Sequence, residues 1–158
     1  MRIDKPFGII KGLKPQDFRT IRDILAQEGC PKSENLFSDK ELGVALDSIE
    51  EHLGVLHKAS KMSSADLLVC IIGSKYILAD AKFRSKSVKN ISRTEIDKKI
   101  NGSKVIINSD YIYQGPFYIL FRANVLTNSG YNRLKKMFAY SPRYEFKNTI
   151  DFYTLFEH

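Results

Sequence analysis

Residues 66–84 contain two apolar runs separated by a short glycine-containing segment, and this arrangement predicts a β-hairpin. The first run, residues 67–72, is unbroken and rich in β-branched side chains, and the second covers residues 76–79. Gly73 and Ser74 lie between them, which is typical of a tight connection between antiparallel strands. Because neither run alternates with polar residues, we expect both strands to be covered on both faces.

Three charged residues lie at one end of this predicted hairpin. Asp66 precedes the first strand and Asp80 ends the second, so the fold-back places both carboxylates at the same end, where directly opposed residues are only ~5 Å apart. Lys82, two positions after Asp80, points to the same face. Two carboxylates so close repel each other unless a cation lies between them, and Mg²⁺ prefers oxygen ligands. The sequence therefore predicts a metal site beside a lysine that could contact a phosphate or a metal-bound water.

The spacing of these residues resembles the core of the PD-(D/E)XK nuclease superfamily. In that family an aspartate opens one strand of a hairpin and a (D/E)-x-K tripeptide ends the next. Asp66 matches the first position, and the tripeptide matches residues 80–82, with Ala81 in its centre. Ala65 stands where the pattern has its proline, and aspartate at position 80 is the less common of the two acids.

The resemblance implies an α/β fold, in which a mixed central β-sheet is flanked by helices in the restriction endonuclease-like order αβββαβ. Residues 38–125 would form this core within a single domain of residues 1–158. A helical addition would precede the core, and an aromatic, β-prone addition would follow it. The length of 158 residues is sufficient for one such domain.

The resemblance also implies an activity, the metal-dependent hydrolysis of phosphodiester bonds, with DNA favoured over RNA by the habit of the family. Asp66 and Asp80 would hold Mg²⁺ or Mn²⁺ together with the carbonyl of Ala81 and the carboxylate of Glu41. Lys82 would orient the attacking water or stabilise the charge that develops on the phosphate. Because many enzymes of this family act as dimers, a homodimer is a candidate state.

The choice of Glu41 depends on a helix predicted from Ser38 to about residue 53. Ser38 and Glu41 have the spacing of a capping box, and apolar residues follow with helical periodicity. The nuclease family carries an acidic residue on the helix before the hairpin, which makes Glu41 the first candidate and Glu50 the next. The alternative interpretation is that Glu41 only caps the helix.

The overall charge favours an anionic partner, most simply nucleic acid. The chain has a net charge of +7 and a pI near 9.4. A basic cluster follows the hairpin directly and is a candidate surface for the phosphate backbone, the alternative being a solvated loop. Its members are Arg84, Lys86, Lys89 and Arg93, and Lys98 and Lys99 extend the positive surface.

Several further predictions concern secondary structure and location. Strands are expected at residues 7–10, 55–60 and 105–107, and His57 on the second of them is interpreted as a structural residue. No apolar run reaches the ~18 residues that span a bilayer, and the first residues lack the apolar stretch of a signal peptide. A cytoplasmic protein without a membrane partner is therefore expected.

Two other classes of function stay open. One is a protein with the nuclease fold that binds nucleic acid or a protein partner without cleaving anything. The other is an unrelated α/β interaction protein, such as an antitoxin, an immunity protein or a secretion accessory. In that last case Asp80 and Lys82 would form a surface ion pair that contributes little to stability.

Overall fold

The computed structural model describes residues 1–49 and 63–158. Its elements are a 3₁₀ turn (Pro15–Asp17), β1 (Arg19–Thr20), α1 (Ile21–Gln27), a second 3₁₀ turn (Lys32–Glu34), β2 (Leu42–Gly43), β3 (Leu67–Ile71), β4 (Lys75–Ala81), α2 (Arg93–Ile106), β5 (Ile112–Tyr113), β6 (Phe117–Phe121), α3 (Asn128–Met137), β7 (Tyr144–Asn148) and α4 (Thr149–Tyr153). Residues 46–49 are helical as well. Across these two ranges, no helix is both long enough and apolar enough to cross a membrane.

The central sheet contains β3, β4, β6 and β7 side by side in this order. β3 is antiparallel to β4, whereas β4, β6 and β7 are parallel to one another, and the short β5 pairs with the start of β4. α2 connects β4 to β6 and α3 connects β6 to β7, because parallel neighbours need a crossover of this kind. The predicted α/β class with a mixed central sheet is confirmed.

The predicted hairpin forms from β3 and β4, with Leu67 paired with Ala79. The chain reverses at Gly73 and Ser74, where φ is positive at both residues (97° and 57°). Glycine reaches this region without steric cost, which explains its place in the turn. One residue beyond the last pair of the ladder, Asp66 lies opposite Asp80, as the spacing predicts.

The hairpin is buried on both faces, as predicted from its unbroken apolar runs. Every residue of β3 is buried, and its side chains alternate between two apolar clusters. One cluster joins Leu68 to residues of α2 and α3, and the other joins Leu67 to residues of α1 and α4. Since burial of one Leu or Ile side chain contributes roughly 1.5–3 kcal/mol, this packing fixes the hairpin firmly between the two layers.

The helix predicted from Ser38 is wrong in its first part. Leu42 and Gly43 pair with β1 instead, and Val44 forms an antiparallel bridge with Leu68 of β3. A Cβ atom at position 43 would lie 3.0 Å from the carbonyl oxygen of Leu68, which is tighter than most Cβ contacts, so glycine suits this close approach. Pairing with distant strands thus overrides the local helical pattern, and helical structure begins only at residue 46.

Two other predicted strands are also wrong, and one lies outside the described residues. α2 continues through residues 105 and 106, because Ile96, Ile100 and Ser103 are buried at helical spacing along it. Residues 7–10 form turns rather than a strand. The predicted strand at 55–60, with His57, falls outside the described ranges, as does Glu50.

Candidate functional site

The two aspartates at the end of the hairpin are both buried and in contact. Asp66 is 8% exposed and Asp80 is fully buried. The backbone N–H of Ala81 donates a hydrogen bond of 2.8 Å to Oδ2 of Asp66, and Asp66 lies opposite Asp80 where the ladder of β3 and β4 ends. Asp66, Asp80 and Ala81 are therefore brought together, as the sequence predicts.

The two carboxyl groups differ in protonation. Burial, and then the charge of Asp80, raise the pKa of Asp66 to about 9. Burial alone would raise the pKa of Asp80 too, but the hydrogen bond from Asp66 and the neighbouring charges of Lys99 and Lys82 lower it below its usual value. The raised pKa of Asp66 and the lowered pKa of Asp80 favour a proton on Asp66 and a negative charge on Asp80 at neutral pH.

Two lysines neutralise Asp80. Nζ of Lys82 lies 3.1 Å from Oδ2 of Asp80, and Nζ of Lys99 lies 3.0 Å from both carboxylate oxygens. Burial would lower the pKa of Lys99, but the attraction of Asp80 and Asp66 outweighs it and raises that pKa. The hypothesis of an unrelated α/β interaction protein treats Asp80 and Lys82 as a surface ion pair. Because Asp80 is fully buried, that interpretation of the two residues is wrong.

A buried serine connects Lys99 to the start of β3. The hydroxyl of Ser103 donates a hydrogen bond to the carbonyl of Lys99 (2.7 Å) and accepts one from the backbone N–H of Ala65 (2.8 Å). Ser103 is fully buried. This contact fixes α2 against the residue that precedes Asp66, and so it fixes the position of Lys99 relative to both aspartates.

Asp66 also belongs to an acidic cluster that sequence reasoning missed. One carboxylate oxygen from each of Glu28, Asp47 and Asp66 lies within 4.8 Å of the other two. Glu28 caps the C-terminus of α1, and Asp47 lies in the helical residues 46–49. Burial, and then the charge of Asp47, raise the pKa of Glu28. Glu28 and Asp47 are therefore carboxylates that repel each other.

The donor set of this acidic cluster fits a divalent cation. Oδ1 of Asp47 is buried and has no hydrogen-bond partner among the described residues, and an unpartnered buried acceptor is costly. Three convergent carboxylates are ligands of the kind that Mg²⁺ and Mn²⁺ take. Glu28, Asp47 and Asp66 could hold such an ion, and Asp80 lies opposite Asp66 at the end of the hairpin.

Glu41 is not part of this site, which corrects the predicted ligand set. Its carboxylate accepts a hydrogen bond of 3.0 Å from the N–H of Ser38 and lies 2.6 Å from Nδ1 of His158. The contact with Ser38 has the geometry expected of a capping box, but no helix begins at Ser38. Glu41 is absent from the acidic cluster formed by the described residues.

Of the predicted basic residues, Arg84, Lys86, Lys89, Arg93 and Lys98 are exposed but have different surroundings. Nη2 of Arg84 donates to the carbonyl of Gln27 at 3.1 Å, which places this arginine next to Glu28. Nε of Arg93 donates instead to the hydroxyl of Tyr144 at 3.3 Å. Lys86 lies with Arg84 around one cavity, whereas Lys89 is not among its lining residues.

Lys99 does not extend the exposed positive surface, because it is half-buried against Asp80, and this corrects the prediction. The sequence contains a recognisable signal for this position. Lys99 lies three residues after Ile96 and four before Ser103, within the buried stripe of α2 rather than on its exposed side. A lysine at such a position needs a buried acidic partner. Glu28 and Asp47 carry no comparable signal, since their closeness to Asp66 arises only from the tertiary fold.

The assembled site contains four carboxylates and two ammonium groups, a balance that leaves two negative charges when all the acids are ionised. A divalent cation would neutralise this excess, and a hard oxygen-rich site of this type can activate water against a phosphate ester. Comparison of the chain with protein-family models, with curated proteins and with solved structures gave no match in any of the three.

Proposed function

We propose that the protein is a metal-dependent nuclease that hydrolyses phosphodiester bonds, with DNA as the favoured substrate. The observation that carries the proposal is the buried contact of Asp66 with Asp80 beside Lys82, with Glu28 and Asp47 adjoining Asp66. The order of α1, the extended residues 42–44, β3, β4, α2 and β6 supports a core of the αβββαβ type.

In this proposal Asp66, Glu28 and Asp47 hold Mg²⁺ or Mn²⁺, and Asp80 and the carbonyl of Ala81 complete the set. When bound, the ion supplies a water of lowered pKa and polarises the phosphate. The protein's own side chains do the remaining work. Asp66 releases its proton before it can act as a ligand, since ligating carboxylates must be deprotonated.

The lysines have separate roles in the proposal. Lys99 is bound by both oxygens of Asp80 and keeps this carboxylate ionised and in place. Lys82 makes a single contact with Asp80, and its side chain is 27% exposed, so its remaining N–H donors can reach a substrate. We assign Lys82 to the stabilisation of negative charge on the phosphate in the transition state.

One observation favours a second candidate, a non-catalytic protein with this fold that binds nucleic acid or a protein. Asp80 is already neutralised by Lys82 and Lys99 without any metal. If these lysines hold it permanently, the hairpin carboxylates serve the stability of the fold. Metal binding separates the two candidates, because only the nuclease requires it.

The test is cleavage of plasmid, single-stranded DNA and RNA with Mg²⁺, with Mn²⁺ and with EDTA. We expect metal-dependent cleavage by the wild type and a loss of at least ~100-fold in Asp66→Asn, since this variant lacks a ligand. Asp110→Asn, at an exposed aspartate outside the site, is the matched control. Cleavage by Asp66→Asn at the wild-type rate would overturn the proposal.

A further inference from the structure

A cavity of about 370 Å³ opens where β4 and β6 end. Ala81 of β4 pairs with Leu120 of the parallel strand β6, so Phe83 and Arg122 follow the carboxyl ends of neighbouring strands. Ligands of open α/β sheets bind outside the carboxyl ends of the strands, where the strand order reverses. This cavity lies at the carboxyl ends of β4 and β6, and none of its lining residues belongs to the acidic cluster.

The cavity has a positively charged rim. Arg84, Lys86 and Arg122 line it together with Asn124, and all three cations are exposed. Neither Lys86 nor Arg122 takes part in an ion pair among the described residues. The nearby carboxylate of Glu34 accepts a hydrogen bond from the backbone N–H of Ala123 at 2.8 Å. The cavity thus presents cations that are available to an anion.

Arg84 connects this cavity to the acidic cluster. Its guanidinium donates to the carbonyl of Gln27, the residue before Glu28. A Cβ atom at Gly29 would lie 3.4 Å from Cγ and Nε of Arg84, so the arginine packs directly on the chain that carries Glu28. Lys82 is only two residues away in sequence. An extended anion could therefore contact the candidate metal site and the cavity at the same time.

We propose that this cavity is a subsite for a phosphate group of a nucleic acid strand, next to the phosphodiester that reaches Lys82, and that Arg122 is its main determinant. The proposal rests on the proposed function for the identity of its neighbour, although the binding itself requires no cleavage. Arginine suits the role because its planar fork binds a phosphate through two parallel hydrogen bonds.

One half-buried apolar side chain lies beside the charged rim of the cavity. Val125 lines it and offers a small surface for a sugar, whereas Phe83 is buried in the core. Asn124 adds an amide donor. Contacts of this kind position a strand without reading its sequence, so we expect binding that depends strongly on salt and weakly on base composition.

The experiment measures binding in EDTA, where no cleavage occurs. A labelled single-stranded DNA of about 16 nucleotides and the corresponding duplex are titrated with the full chain over a series of NaCl concentrations. For Arg122→Gln we expect several-fold weaker binding and a salt slope reduced by about one, the value for the loss of one phosphate contact. Arg133→Gln, at an exposed arginine of α3 outside the cavity, is the matched control. Equal slopes for the two variants would overturn the proposal.

Inorganic phosphate distinguishes a strand from a free ion as the source of the phosphate group. In amide NMR titrations we expect the oligonucleotide to shift the signals of Arg122 and Asn124, with phosphate as a weaker competitor. If phosphate alone shifts these signals, or if neither probe does, the strand subsite is wrong. If binding depends on Arg122 but the protein cleaves no nucleic acid, the subsite is confirmed and the proposed nuclease activity is wrong. If the protein cleaves nucleic acid and Arg122→Gln cleaves as well as the wild type, the nuclease activity is confirmed and the subsite is wrong.

Discussion

Asp66 is buried like a core residue, and yet its carboxyl group lies beside Glu28 and Asp47, where it could bind a metal ion. Burial and the charge of Asp80 raise its pKa to about 9, so the carboxyl is protonated at neutral pH. A cation would have to displace that proton. We therefore expect binding of Mg²⁺ or Mn²⁺ to strengthen as the pH rises, and to release a proton from the protein.

The metal-free protein should lose stability as the pH rises from about 4 towards 9. The folded-state pKa of Asp66 lies above its unfolded value of 3.8, so the stabilisation it contributes is complete below that value and lost as the pH rises through about 9. Glu28, whose pKa is also raised, acts in the same direction. Asp80 acts in the opposite direction, because its lowered pKa removes stability only in acid.

Asp66→Asn tests this pH dependence. Because asparagine is neutral and similar in shape, we expect the variant without metal to melt at least ~3 °C above the wild type near pH 8, and to show a flatter dependence on pH. Thermal unfolding in EDTA, followed by circular dichroism, measures the difference, with Asp110→Asn as control. A wild-type melting temperature that stays constant between about pH 5 and 9 would contradict the assignment of the proton to Asp66.

Lys99 should be important for stability, because it is one of the two cations that neutralise Asp80. In Lys99→Met the fully buried Asp80 keeps only Lys82 as a cationic partner. We expect a loss of about 2–4 kcal/mol in the free energy of unfolding, measured with urea. Lys98→Met removes only an exposed ion pair with Glu95 and should cost less than about 0.5 kcal/mol. Equal losses for the two variants would show that Lys99 does not neutralise Asp80.

At the scale of elements, the hydrogen bonds of Ser103 join α2 to the start of β3. Ser103→Ala leaves the N–H of Ala65 without a partner in a buried position, which should cost about 1–3 kcal/mol. If Ser103 had only this structural role, the variant would lose stability without any change in the pKa of Asp66. Because Ser103 also positions Lys99, we expect the variant to change the pKa of Asp66, observed through its carboxyl carbon by NMR. Ser109→Ala, at an exposed serine, should change neither property.

The elements that the sequence predicts correctly are those defined by local patterns. β3 and β4 were predictable because two apolar runs and a glycine turn are neighbours in the chain, and their register brings Asp66 opposite Asp80. The segment 42–44 was not, because its partners Arg19, Thr20 and Leu68 are distant in sequence. Its apolar residues fit a helical pattern locally, and only the pairing with β1 and β3 in the folded protein makes the segment extended. The same error led to the choice of Glu41.

At the scale of the whole molecule, the site is assembled from segments that are far apart in the chain. Glu28 lies at the end of α1 and Asp47 follows β2, so both precede the hairpin in the chain, whereas Lys99 lies in α2, which follows the hairpin. Only Asp66, Asp80 and Lys82 share a local motif. The motif could therefore be predicted, whereas the closeness of Glu28 and Asp47 to Asp66 depends on tertiary packing that no spacing rule contains.

Calorimetric titration of the metal-free protein with Mn²⁺ near pH 8 tests the central claim most directly. We expect one binding site in the wild type and in Asp110→Asn. In Asp66→Asn and Asp47→Asn the affinity should fall by at least ~100-fold, because each variant lacks a ligand. The titration is repeated in buffers of different ionisation enthalpy. If Asp66 releases a proton, the measured binding enthalpy should change with the buffer. No binding by the wild type, or undiminished binding by both variants, would contradict a metal site at Glu28, Asp47 and Asp66.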